Sequence, residues 1–142
     1  MRYWDSSALI ARFIDEPRSA LARGWHRDDP AVIVWVMSRV EIASAIARCR
    51  REKTSLASEF DHALRDIVKA SKEWLAITDV FAVRDRAERI VRSHPLRAAD
   101  ALQLGAAIVA AEEEPASLEF VTLDRRLADA AAREGFQILG PR

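Results

Sequence analysis

Four acidic residues are the points in this chain where chemistry could be done. Asp5 lies in YWDSSAL, Glu41 in SRVEIASA, Asp100 in LRAADALQL and Asp124 in FVTLDRRLADAA. Asp5 and Asp124 each leave a predicted strand, and all four stand at or near the start of a predicted helix. Carboxylates gathered at one point offer only oxygen ligands, which select a hard divalent cation such as Mg²⁺ or Mn²⁺. Two carboxylates about 4 Å apart repel by about 4 kcal/mol at an effective dielectric of about 20, and a divalent cation relieves that repulsion.

Taken singly, each acid also has an ordinary structural explanation. Asp is a favoured helix N-cap, worth about 1 kcal/mol. Ser38 and Glu41 have the spacing of a capping box. Acids in a first turn suit the helix dipole. Asp79 is expected to cap the helix that begins at Val80. The conjunction is what points to a site, because the functional crevice of an open α/β sheet lies beyond the carboxyl ends of its strands. Asp100 follows no strand, so spacing alone does not bring it to that crevice.

The elements that must position these acids alternate in type. Strands are predicted at Arg2–Trp4, Val32–Met37, Leu75–Ile77, Glu119–Leu123 and Phe136–Leu139. Helices are predicted near Ser6–Ile14, Arg18–Arg27, Arg39–Lys53, Leu56–Glu73, Val80–Ser93, Ala98–Glu113 and Arg125–Glu134. Alternating strands and helices argue for an α/β fold with a parallel sheet covered on both faces. VIVWVM has no polar alternation, as a strand buried on both sides requires. Pro17, Pro30, Pro95, Pro115 and Gly135 fall between elements. Glu112–Glu114 runs against the dipole of the helix end it occupies.

Composition narrows the function classes. The 142 residues are half hydrophobic and suit one domain over the whole chain. Lys and Arg number 22 against 22 Asp and Glu, so any contact with nucleic acid must come from a local patch. Candidate patches are Arg48, Arg50, Arg51 and Lys53, and Arg84, Arg86, Arg89 and Arg92; helix-end dipole pairing and solvation is the preferred explanation for any one of these residues. Cys49 is the only cysteine, which excludes an internal disulfide and a thiolate zinc cage. No GxGxxG, GxxxxGK or GxSxG occurs, so nucleotide cradles and nucleophile elbows lack support. No apolar run approaches the ~20 residues of a membrane span, and MRYWDSS lacks the apolar core of a signal peptide. A soluble cytoplasmic protein with no membrane contact is expected.

The ordered set of motifs resembles the PIN-domain ribonucleases, and in its length a VapC-type toxin of a type II toxin–antitoxin pair. YWDSSALI is similar to the family's opening motif, VEIASAI to its second, LRAADALQLGAAI to its third and FVTLDRRLADAAAREGFQIL to its C-terminal motif. The resemblance spans essentially the whole chain. It implies a PIN-like three-layer fold with a five-stranded parallel sheet in order 3-2-1-4-5, flanked by about seven helices. It also implies that Asp100 and Glu41 join Asp5 and Asp124 as an acidic quartet. Asp5 and Asp100 would be the primary metal ligands, with Glu41 and Asp124 completing the shell, positioning water or holding a second ion. Ser6 matches the hydroxyl that helps orient metal or water, and Thr122 matches a polar position beside the last acid. The implied reaction is Mg²⁺- or Mn²⁺-dependent hydrolysis of an RNA phosphodiester, leaving a 5′-phosphate and a 3′-hydroxyl. The implied partners are an RNA substrate (tRNA, rRNA or mRNA), a cognate antitoxin and a second copy in a homodimer.

Two other classes compete. A non-catalytic protein-interaction domain would use all four acids as helix caps. A phosphoryl-accepting regulatory domain would want a lysine after a late strand, and Lys occurs only at 53, 69 and 72.

Overall fold

Strand β2 (Val32–Trp35) shows how the sheet is built. Its side chains alternate between two cores: Ile33 and Trp35 enter one, Val32 and Val34 the other. All four are buried, so the run needs no polar face. The fold comes from a computed structural model that describes residues 1–141. The other strands are β1 (Arg2–Trp4), β3 (Leu75–Ile77), β4 (Glu119–Val121) and β5 (Gln137–Leu139). The helices are α1 (Ser6–Phe13), α2 (Ser19–Asp28), α3 (Ser38–Glu52), α4 (Ala57–Ala70), α5 (Val80–Ser93), α6 (Ala98–Ala110) and α7 (Arg125–Arg133).

The strands form one parallel sheet in the order β3-β2-β1-β4-β5. The chain winds outward from β1 to β3, crosses back, and continues at β4. The crevice between β1 and β4 is therefore the topological switch point. One face of the sheet is covered by α5, α6 and α7 around Tyr3, Leu104 and Phe120. The other is covered by α1 to α4 around Trp4, Leu9, Ile42 and Ile67. Among the described residues no helix is long and apolar enough to cross a membrane.

The strand order and the helix count match the sequence expectation, while several element ends do not. β2 stops at Trp35 and β4 at Val121, because the next residues turn toward α3 and α7. The predicted helix over 56–73 is α4 flanked by two short 3₁₀ turns, Thr54–Leu56 and Ser71–Glu73. Helix α6 ends at Ala110 rather than Glu113. Glu112 and Glu113 adopt left-handed φ angles of 51° and 66°, which lets the Glu113 N–H reach Ile108 O at 3.1 Å. Glu113 then pairs with Arg86 of α5 at 2.8 Å. The acidic run thus turns the chain and ties it to a neighbour, which explains acids at an otherwise unfavourable helix end.

Helices α5 and α6 pack at very close range, and Gly105 makes that possible. A Cβ at this position would stand 2.9 Å from Val83 O and 3.2 Å from Ala87 N. Gly105→Ala should gain about 1 kcal/mol of helix propensity, against an overpacking cost of about 1–3 kcal/mol when the contact is backbone that cannot swing aside. A net loss of stability is expected in chemical or thermal denaturation. A variant as stable as wild type would show that the two helices separate freely.

Candidate metal and catalytic site

Asp5 is the residue immediately beyond β1, and its N–H donates to Val121 O at 2.9 Å, extending the β1–β4 ladder by one bond. Its carboxylate is 4% exposed. The Ser7 N–H, Ser7 Oγ and Thr122 Oγ1 all donate to the same oxygen, Oδ2. Asp5 is therefore the cap of α1, and it is buried more deeply than capping alone requires. Burial pushes its pKa up, while the bonds from Ser7 and Thr122 hold it down.

Thr122 joins Asp5 to Asp124. It is fully buried, donates to Asp5 Oδ2 at 2.9 Å, and accepts from the Asp124 N–H at 3.0 Å. Ser7 supports the same corner by accepting from the Leu123 N–H at 2.9 Å. Asp124 caps α7 through a bond of 2.9 Å from the Leu127 N–H. Asp79 caps α5 as expected, accepting from the Ala82 N–H at 3.0 Å.

Glu41 and Asp100 cap nothing. They lie in the first turns of α3 and α6. The capping box suggested by Ser38 and Glu41 does not form, since Met37 is the N-cap of α3 and supplies no side-chain bond. Ser38 is instead fully buried against Gln103 of α6. Gln103 Nε2 reaches Ser6 Oγ, Ser38 Oγ and Glu41 Oε1, each at 2.9 Å. Tyr3 donates its hydroxyl to Gln103 Oε1 at 2.7 Å. Burial, reinforced by the charges of Asp5 and Glu41, keeps that phenol protonated, so it has a hydrogen to donate to Oε1. This orients the amide with its N–H groups toward Ser6, Ser38 and Glu41.

Two of the four acids, Glu41 and Asp100, register their neighbours' charge. Burial, and then the charges of Asp5 and Asp100, raise the Glu41 carboxyl to about 7, against an opposing bond from Gln103. Burial, then Asp124 and Asp5, raise Asp100, while Arg97 and Arg126 act in the opposite sense. Such a set of oxygen donors, two of them shifted upward by their neighbours' charge, fits a hard divalent cation in chemistry and electrostatics. Among the described residues, however, no three acid, histidine or cysteine side chains are close enough to hold one ion as they stand. A cavity of about 510 Å³ opens beside the cluster, lined by Arg97, Asp100, Asp124, Arg125 and Arg126.

Sequence reasoning selected Asp5, Ser6, Glu41, Asp100 and Asp124, and all five fall at this edge. It missed Gln103, Ser7 and the three arginines. Gln103 left a readable sign: it is a polar residue three positions after Asp100, on the same face of a helix otherwise rich in Ala and Leu. The basic clusters it offered as candidate patches lie elsewhere. None of them lines this cavity. Arg50 pairs with Asp61, Arg84 with Asp85, Arg86 with Glu113 and Arg89 with Glu134.

The raised Glu41 carboxyl fixes the sign of a pH effect. Between its ordinary value of 4.5 and about 7, the folded protein holds a proton that the unfolded chain has released. Stability of the metal-free protein should therefore fall as pH rises through that window and level off above it. Glu41→Gln should flatten the fall, leaving the contributions of Asp5 and Asp100, which have the same sign. Thermal melts across this range in EDTA measure it, and a wild-type melting temperature that climbs from 4.5 to 7 would contradict the assigned burial.

Comparison with known proteins agrees with the topology. No curated protein matches the chain. A chain in the crystal structure of FitAcB from Neisseria gonorrhoeae has a similar fold, with a TM-score of 0.62 at 15% identity, over 98% of this chain and 96% of that one. Identity at that level speaks for the fold alone. The family model for the PIN domain matches residues 2–133, so the chain belongs to the PIN domain family.

Proposed function

We propose that this protein is a metal-dependent endoribonuclease toxin, acting as a single PIN domain and neutralised by a cognate antitoxin. PIN domains are generally nucleases. The observation that carries the reading is the buried carboxylate of Asp5, together with two first-turn acids, Glu41 and Asp100, whose pKa values rise through burial and one another's charge. A purely structural role as caps accounts for Asp5 and Asp124 only. It leaves Glu41 and Asp100, which cap nothing, with only the helix dipole in their favour, against burial and like charge that raise both pKa values, and so disfavours the non-catalytic interaction domain.

Asp5 and Asp100 are the proposed primary ligands for Mg²⁺ or Mn²⁺. When bound, the ion would neutralise charge on the scissile phosphate and make water a better nucleophile. The three donors on Asp5 Oδ2 hold that carboxylate in one rotamer. Gln103 bonds both Ser6 and Glu41 and so orients the Glu41 carboxyl, which would complete the metal shell or position water. Asp124 faces the cavity through which a phosphodiester would enter.

A homodimer has support from exposed apolar surface. Met37 and Val40 begin α3, and Val80 and Phe81 begin α5, with exposures of 48%, 65%, 48% and 69%. Those helices follow neighbouring strands, β2 and β3, and cover opposite faces of the sheet, so both pairs stand at its carboxyl edge. Large apolar side chains left exposed in this way are candidates for a contact with a second copy. Val40→Asp combined with Phe81→Asp should convert a dimer to a monomer in light scattering. An unchanged mass would move the interface elsewhere.

Purified protein should cleave RNA with Mg²⁺ or Mn²⁺ and stop in EDTA; expressed alone it should slow bacterial growth, with rescue by the cognate partner. Asp5→Asn separates cap from ligand, because Asn is nearly as good an N-cap but lacks the charge a ligand needs. Its fold should survive, its cleavage should disappear, and its stabilisation by Mg²⁺ should shrink. Wild-type stabilisation follows mass action, about 2.7 kcal/mol at 100 times the dissociation constant. Equal Mg²⁺ shifts in both proteins with cleavage retained would falsify the ligand role.

A further inference from the structure

The cavity beside the acids has a composition that the catalytic reading does not use. Three of its lining side chains are arginines, Arg97, Arg125 and Arg126. All three are exposed, and none forms an ion pair or a side-chain hydrogen bond with another described residue. This sets them apart from Arg50, Arg84, Arg86 and Arg89, whose charges are matched by Asp61, Asp85, Glu113 and Glu134. The three come from two segments that share no neighbourhood in sequence: Arg97 immediately precedes α6, and Arg125 and Arg126 open α7. Folding brings them to one cavity with Asp100 and Asp124 between them.

An acidic site repels a polyanion, and a chain with no net charge offers no general attraction to offset it. Unmatched guanidinium groups at the rim supply the missing local attraction. Arginine presents planar, permanently charged N–H groups that match phosphate oxygens two at a time. The cavity of about 510 Å³ has room for a phosphate and its sugar, and no aromatic side chain lines it to stack a base. Phosphate contacts of this kind position a strand without reading its sequence.

We infer that Arg97, Arg125 and Arg126 form a phosphate-binding subsite that grips the backbone of a single RNA strand next to the bond being cut. The inference rests on the endoribonuclease reading and names how that site takes its substrate. The subsite is sequence-neutral, so base preference must arise from other parts of the surface.

The test replaces Arg97, Arg125 and Arg126 by Gln, singly and together, in the full chain. Cleavage kinetics are measured with Mg²⁺ on a labelled single-stranded oligoribonucleotide, and binding of the same RNA is followed across KCl concentrations with Ca²⁺ in place of Mg²⁺. Each single change should raise KM by about tenfold, the loss of one charge-assisted bond, with kcat moving far less. The slope of log affinity against log salt should become shallower by about 0.7 for each arginine removed. Melting curves should be unchanged, since all three side chains are exposed. A triple variant that cuts RNA with wild-type KM and salt slope overturns the subsite and leaves the nuclease reading intact. Variants that handle RNA normally but lose capture of a protein inhibitor assign the cluster to that partner and also overturn it. Wild-type protein that neither binds nor cuts RNA overturns the parent reading, and the subsite with it.

Discussion

A carboxylate kept out of water must be compensated, and much of this fold's carboxyl edge is arranged around the compensation of Asp5. Its exposure of 4% leaves little solvent to do the work. Two hydroxyls and one N–H supply part of the compensation, all on one oxygen. The donors come from the first helix and from the end of a strand more than a hundred residues later. Holding them in place requires β1 and β4 to be neighbours, and that adjacency is the switch point of the sheet. A charge stabilised this way imposes its field on whatever lies nearby, and Glu41 and Asp100, whose pKa values are raised first by burial, are pushed further upward by it.

The second half of the site is organised by a neutral group. Gln103 is fully buried, yet each polar atom of its amide has a partner. It lies between the first strand, represented by Tyr3, and the first turns of α1 and α3. Burying an amide without partners would cost several times what a matched hydrogen bond returns. The network therefore penalises any packing of α6 that shifts Gln103 out of register. Gly105, two residues on, acts in the same direction by letting α5 approach at backbone distance. Together they fix α6, and with it Asp100, which has no strand to hold it.

Sequence alone was informative wherever a signal was local or periodic. The unbroken apolar run of β2 and the acids that leave β1 and β4 could be read directly. The acidic quartet emerged as a set only through the family's ordered motifs, because Asp100 owes its place to helix packing that spacing does not encode. Element ends were less legible. Glu112 and Glu113 look like helix continuation until the left-handed turn and the Arg86 pair are known. The two serines after Asp5 are chemically identical in sequence, and the helix sends them to different corners. Ser6 meets Gln103, while Ser7 meets Asp5 and Leu123. The arginines were illegible for a similar reason. A count of basic residues along helices favours dense clusters, whereas the cavity collects cations from two separate helix starts.

The extension of the β1–β4 ladder past Trp4 has a metric consequence. Neighbouring strands are held about 4.8 Å apart by their hydrogen bonds, and the bond from Asp5 N to Val121 O carries that spacing up to the first acid. The bond from Thr122 N to Leu139 O does the same for the next strand along. The backbone separation beneath Asp5 and the segment leading to Asp124 is thus set by peptide geometry and cannot relax independently of the sheet. Side-chain length becomes the main adjustable quantity at Asp5. The sheet behaves as a fixed gauge, and the one-methylene difference between aspartate and glutamate is a coarse step on it. That gives a mechanical reason for Asp at the end of β1 and for the longer Glu at position 41, which reaches in from the first turn of α3.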